Sequence, residues 1–387
     1  MRYKLPAVAV LLGVLLVALW ATIAWSGRGH SVLAANPTPT VIAVVPVGSS
    51  PYGVAVNPTT NRIYAANHLS STVSVIDGGT NTVVATVPVG SHPVGVAVNP
   101  TTNRIYTGNT YSNDVSVIDG GTNTVVATVP VGGYPNGVAV NPTTNRIYTA
   151  NSYSNDVSVI DGGTNTVVAT VPAGSAPSGV AVNPTTNRIY SANWFSNDVS
   201  AIDGDTNTVV ATVPAGSGSY GVAVNPTTKR IYAANAYSDD VSVIDGGTNT
   251  VVATVPVGSH PSGVTVNPTT NRIYVSDEYS DTVSVIDGGT NTVVATVPGV
   301  ASPCGVTVNP TINRIYTADT VDDTVSVVQD LPLPVGGVAE YTEVEPDAVA
   351  STHDSPRTDA LALAGAAGVA ALLLTAGGWY ARRRLLA

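Results

Sequence analysis

Cysteine is almost absent from this sequence: Cys304 is the only one in 387 residues. A disulfide framework and a CxxC metal pair are thereby excluded, and no cysteine follows the N-terminal segment to take a lipid. Cys304 itself reads as a loop substitution rather than a reactive thiol. Charge is scarce, at 10% of residues, and aromatic residues make up 6%. Helix formers are nearly missing from the middle of the chain. What is abundant there, Gly, Pro, Val, Thr and Asn, is the composition of strands and turns. The expectation is an all-β protein with a membrane segment at each end.

The N-terminal segment, residues 1–34, has an apolar run from Leu5 to Trp25, preceded by Arg2 and Lys4 and followed by a small-x-small site at Val32-Leu33-Ala34. It is a signal peptide or, left uncut, a signal anchor long enough to span a bilayer. Residues 360–380 are uncharged and apolar and run directly into Arg382-Arg383-Arg384. That is a transmembrane helix with a cytoplasmic basic tail, 381–387. It has no amphipathic stripe of the kind a buried helix of a soluble domain would show. Either fate of the N-terminal segment leaves the body of the chain on the extracytoplasmic side of the plasma membrane. Residues 331–359, with Pro, Gly and several acids, form an extended linker. Within it, Leu331-Pro332-Leu333-Pro334 is followed by Val-Gly and lacks the Thr-Gly of a sortase signal.

Between the ends lies a repeat. An Asn-Pro pair starts at Asn57, Asn99, Asn141, Asn183, Asn225, Asn267 and Asn309, always 42 residues apart. Seven units of that length fit the four short strands of a propeller blade. In the first unit, turn signals delimit strand A at Gly53–Val56, B at Arg62–Ala66, C at Thr72–Ile76 and D at Thr82–Val87. Asn57-Pro58-Thr59-Thr60-Asn61 joins A to B, and Asp77-Gly78-Gly79-Thr80-Asn81 joins C to D. Strands A to C carry apolar or small residues on both faces, as burial between neighbouring blades requires. The ends of the array complete each other. Residues 41–48 match strand D of the next unit but have no A, B or C, whereas the last unit stops after strand C, near Val328. The expected fold is a seven-bladed β-propeller over 41–330, with four-stranded blades and the ring closed by the N-terminal strand.

The pattern PxGVAVNPTTNRIYxANxxSxxVSVIDGGTNTVVATVPVG resembles the YVTN-family propeller repeat, in all seven units and over residues 41–330. The resemblance implies an extracytoplasmic protein of bacterial or archaeal cell surfaces with a binding or surface-layer role. Related propellers include enzymes, so the resemblance does not name a ligand.

The copies differ from one another unevenly. The A–B turn changes only at Lys229 and Ile312, and the C–D turn only at Asp205, whereas the D–A and B–C loops differ in nearly every copy. Antiparallel strands put those two variable sets on one face of the disc. That face carries Tyr111, Tyr153, Phe195, Tyr237 and Tyr279, with Leu69 and Val321, in the B–C loops. His68, Trp194 and Glu278 flank them, and Tyr52, His92, Tyr134, Tyr220 and His260 belong to the D–A loops. A ring of aromatics on a rigid scaffold suits a protein or glycan partner. It is equally the pattern expected if each tyrosine covers the top of its own blade. The same face holds Asp114, Asp156 and Asp198, then a denser group that includes Asp239, Asp240, Asp277, Asp281, Asp319, Asp322 and Asp323. This sign repels phosphate backbones and excludes nucleic acid as its partner. Of the acids, Asp239, Asp277, Asp281, Asp319 and Asp323 are weak candidates for a cation, but the spacing of a calcium loop is missing, and a solvated acidic rim is the simpler reading.

Every Lys and Arg of the repeats lies at the A–B turn or the start of strand B, where each Arg can meet the Asp ending strand C, from Asp77 through Asp287; the seventh unit has Gln329 there. Such pairs contribute under about 1 kcal/mol each and serve to fix turns. No catalytic constellation is assembled. His68, His92 and His260 can approach one another across the ring closure but lack metal-ligand spacing, and strand A offers the channel only Thr265 and Thr307 as polar residues. The expectation is a monomeric, membrane-anchored binding or scaffold module with no cofactor. Its alternatives are a lactonase-like or quinone-dependent enzyme and a structural surface-coat component.

Overall fold

The computed structural model describes residues 38–330, and every regular element in that range is a β-strand, β1 to β28. Among the described residues no helix is long and apolar enough to cross a membrane. The segments read as signal (1–34), linker (331–359), transmembrane helix (360–380) and tail (381–387) lie outside the described residues.

Each repeat forms one antiparallel four-stranded sheet. In the first, β2 (Pro51–Asn57), β3 (Arg62–Asn67), β4 (Thr72–Asp77) and β5 (Thr82–Pro88) pair in chain order. The strands run one to two residues beyond the expected bounds because the turns are tight. Asn57 Oδ1 accepts the Thr59 N–H at 3.1 Å, and Asp77 Oδ1 accepts those of Gly79 and Thr80 at 2.8 and 2.9 Å. Asn61 and Asn81 then turn the chain through left-handed backbone, φ 51 and 54, which asparagine tolerates.

The ring closes as the two incomplete ends predict. The seventh sheet has the order β1-β28-β27-β26, with β1 (Thr40–Pro46) antiparallel to β28 (Thr324–Gln329). At the centre, β26 (Pro303–Asn309) packs beside β2, and Asn309 Nδ2 donates to Asn61 Oδ1 at 3.1 Å.

The core is seven slabs, one between each pair of neighbouring blades. Strand alternation supplies both sides of each slab. Tyr64 and Ala66 of β3 pack with Val96, Ile105 and Ile118 of the next blade, while Ile63 and Ala65 face Tyr316, Ala318 and Val325 of the previous one. The seven tyrosines equivalent to Tyr64 are the largest buried side chains. At the axis the strands approach so closely that only glycine fits. A Cβ on Gly137 would lie 2.5 Å from the Ser178 carbonyl oxygen, and one on Gly305 would lie 2.5 Å from that of Tyr52, so the same contact recurs across the closure. On the rim, β5 exposes Val83 and Val84, but a bulge shifts its register against β4, and Pro88 ends it. Both features discourage another strand from adding to this edge.

Candidate functional site

The D–A and B–C loops share one face, as their alternation requires. Asn113 Oδ1 in a B–C loop accepts the Tyr134 N–H of the following D–A loop at 2.9 Å, and Asp239 and Asp281 do the same for His260 and Ser302 at 2.8 Å. Asp323 accepts the Ser50 N–H at 2.7 Å across the ring closure. Three of the five cation candidates are therefore loop clasps on separate blades.

The other two, Asp277 and Asp319, are buried rather than part of a solvated rim. Each ends strand B of its blade and accepts the hydroxyls of a Thr and a Ser on strand C, with Thr282 and Ser284 at 3.1 and 2.7 Å from Asp277. Burial pushes both carboxyls up to about 6, against the opposing pull of those hydroxyls. Among the described residues no three His, Cys, Asp or Glu side chains converge as a metal site would need.

The aromatic candidates come together in two arcs. In the first, ring centroids follow one another from Tyr52 to His68 (5.3 Å), His92 (4.7 Å), Tyr111 (4.1 Å), Tyr134 (5.4 Å) and Tyr153 (6.1 Å). In the second, Trp194 meets Tyr220 and Tyr237 at 5.1 and 4.8 Å, and Tyr237 leads through His260 to Tyr279. The His260 and Tyr279 rings are stacked at 4.2 Å. Phe195 is exposed and belongs to neither arc. The three histidines do not gather. His68 meets His92, and burial, followed by that neighbour, holds it below the ordinary imidazole range; His260 instead bonds Glu278 Oε2 through Nδ1 at 3.1 Å.

Backbone conformation sets this face apart. The left-handed residue of the A–B and C–D turns is asparagine everywhere except Lys229, and that of the B–C loops is Asn, Asp or Ser. The D–A loops place His92 (φ 56), Tyr134 (φ 57) and His260 (φ 55) in the same conformation. Histidine is among the residues that visit this region more readily, whereas a tyrosine held there costs about 1–3 kcal/mol.

Tyr52 and Tyr220 are the second residues of their A strands rather than loop residues, because a register shift at the strand start turns that position inward. They line the mouth of a central cavity of about 170 Å³ together with Asn136, Ser178, Ser262 and Cys304. Sequence reasoning missed these four by starting strand A at the glycine; the signal was the residue before that glycine, which changes from blade to blade. Cys304 is thus a buried strand residue, not a loop substitution. Burial, then the Glu278 carboxylate, drives its thiol far up, the opposite of an activated nucleophile. Burial likewise pushes Tyr52 up to about 12.

On the opposite face five of the expected ion pairs form, from Arg62–Asp77 at 2.8 Å to Arg230–Asp245 at 2.7 Å. The N–H groups of Thr80 and Gly79 do more than Arg62 to hold Asp77 below the usual carboxylate range. Arg272 departs from the pattern: it bonds buried Asp330 of the seventh blade, which Tyr274 also reaches, instead of Asp287. Arg314, whose blade has Gln329, donates to the Gly78 carbonyl across the closure at 2.7 Å.

No family model and no curated protein matches the chain. Among solved structures, a chain of Kuenenia stuttgartiensis Hydrazine Synthase superposes with a TM-score of 0.66 at 20% identity, over 78% of this chain and 99% of that one. At that identity the likeness extends to the fold and not to the chemistry. Strand order, closure and structural likeness agree: residues 40–329 form a seven-bladed β-propeller of four-stranded antiparallel blades.

Proposed function

We propose that this chain is a recognition module of the YVTN type, held outside the plasma membrane by residues 360–380, which binds a protein or glycan partner through its D–A and B–C loop face. The observation that carries the reading is the contrast between the faces. One repeats the same asparagine-based turns, while the other carries exposed rings on its B–C loops, Tyr153, Tyr237 and Tyr279 among them, and holds His92, Tyr134 and His260 of its D–A loops in left-handed backbone. Large rigid side chains bring contact area at low entropic cost. The location rests on the apolar run that follows Arg2 and Lys4, which exports the chain whether it is cut or left as an anchor, and on Arg382-Arg383-Arg384, which keep the C-terminus cytoplasmic. In favour of binding over catalysis, the one thiol is held protonated and His260 is tied to Glu278 and Tyr279. The enzyme in the name of the matched structure, at 20% identity, lends a catalytic reading little weight.

The test is an array of glycans and cell-surface proteins probed with the full chain in a sugar-free detergent. Trp194→Ala and Tyr237→Ala each lower the signal by about tenfold or more if these rings are binding anchors. Equal signals for parent and both variants would remove the face from consideration.

A further inference from the structure

The two arcs stop short of each other between blades three and four, on either side of the D–A loop that carries Ala176. Ala176 holds the left-handed D–A position, φ 51, that His92, Tyr134 and His260 fill with rings. With only a methyl group there, a hollow of about 340 Å³ opens between the end of one arc and the start of the other. Tyr134, Tyr153, Trp194 and Phe195 give it an aromatic lining, and Asn136, Ser152 and Ser178 a polar one. None of its lining residues is charged, on a face otherwise studded with carboxylates.

We propose that this hollow binds a single neutral pyranose ring of a glycan, an inference that rests on the recognition reading above and names its ligand class. A pyranose presents an apolar C–H face that packs on tyrosine, tryptophan and phenylalanine rings, and hydroxyls at its edge that both donate and accept. The Asn136 amide both donates and accepts, as those hydroxyls do, and the Ser152 hydroxyl, which donates to the Tyr134 carbonyl at 3.1 Å, keeps lone pairs with which to accept. An anionic sugar would lose its hydration without meeting a cation, because every Lys and Arg among the described residues lies on the other face. A phenyl side chain of a peptide would stack equally well but offer the Asn136 amide no partner, and a phenol would bring one hydroxyl where a pyranose edge brings several.

The experiment is saturation-transfer NMR on the full chain in sugar-free detergent. The probes are methyl glycosides of neutral hexoses and N-acetylhexosamines, methyl glucuronide and N-acetyltyrosine amide. Neutral glycosides are expected to give the strongest transfer. Ala176→Tyr fills the hollow with a ring that Tyr134 already places at this loop conformation, and it weakens their binding by about tenfold or more. Asn136→Ala, which removes an amide and adds no bulk, weakens it in the same direction. Ile312→Thr, which restores the repeat residue on the opposite face, leaves it unchanged. The proposal is overturned if neutral glycosides give no transfer, if Ala176→Tyr and Asn136→Ala both bind them like the parent, or if N-acetyltyrosine amide binds more tightly than any glycoside. Should the array signal still depend on Tyr237, which lies outside the hollow, those outcomes defeat this ligand assignment and leave the recognition reading standing.

Discussion

Asp277 and Asp319 occupy the position at the end of strand B where the first five blades have asparagine. In blades two to five the asparagine Nδ2 donates to an aspartate and a serine on strand C, as Asn109 does to Asp114 and Ser116 at 2.6 and 2.9 Å. In the last two blades the polarity is reversed: the acid sits on strand B and the strand C partner becomes Thr282 or Thr324. Exchange of donor and acceptor preserves the bond but buries a carboxyl, and burial favours its protonated form. Because the folded value, about 6, lies above the unfolded one, the folded state binds more protons between about pH 4 and pH 6. The stability this confers is complete below the unfolded value and is lost as pH rises through 6, by at most about 3 kcal/mol per site. Blade one shows the remedy, since Asn67 donates to Thr72 and Ser74 at 2.9 Å in the same surroundings. The double variant Asp277→Asn, Asp319→Asn is expected to melt higher than the parent at pH 8 and to lose most of the difference by pH 4.5. Melting curves across that range check it, and parallel curves for the two proteins would contradict the assignment.

Between elements, stability is organised as a belt of asparagines. Asn57 Nδ2 donates to Asn103 Oδ1 of the next blade at 2.9 Å, and the bond repeats from Asn99, Asn141, Asn225, Asn267 and Asn309. The seventh is interrupted where Lys229 replaces the acceptor facing Asn183, and this lysine is also forced into left-handed backbone, φ 57. Lys229→Asn restores both acceptor and conformational preference, so a gain of about 1 kcal/mol is expected, read as a rise of a few degrees in Tm. Gly137→Ala acts in the opposite direction. Its methyl group meets a backbone carbonyl that cannot turn aside, so a loss of about 1–3 kcal/mol is expected in denaturant unfolding.

These same contacts mark the limit of what the sequence discloses. Strand bounds were legible because Asn57, Asp77 and Pro88 punctuate each unit, and closure was legible because two incomplete units can be counted. The partner of Arg272 was not. Within its own sheet Arg272 is opposite Asp287, the pairing that one repeat suggests, and only the neighbouring blade brings Asp330 into reach. In the candidate site, the aromatic residues stood out as departures from the repeat. The hollow did not, because it is made by what Ala176 lacks.

At the scale of the whole molecule, one blade alone is built from both ends of the described chain, and it closes the ring. There β1 supplies the outer strand of a sheet whose other three strands come from the far end of the described chain. It buries Val45, worth about 1.5–3 kcal/mol, in the slab shared with the first blade. A chain beginning at Ser49 keeps six complete blades but leaves β28 with a bare edge, and one missing strand exposes two slabs, since Val41 packs in the slab on the other side. It is expected to melt several degrees lower and to aggregate through that edge. A peptide spanning Thr38–Gly48 should restore the melting temperature in a saturable manner, because binding only to the folded ring stabilises it by mass action. The same peptide with Val45→Asp should not, since its register is kept but its buried side chain is lost. A peptide of Thr82–Gly90 should also serve, because β5 presents the same alternation to β4 that β1 presents to β28. If the shortened chain melts with the parent, or if the Val45→Asp peptide rescues as well as the native one, the final blade holds together on three strands and the ring does not depend on its first segment.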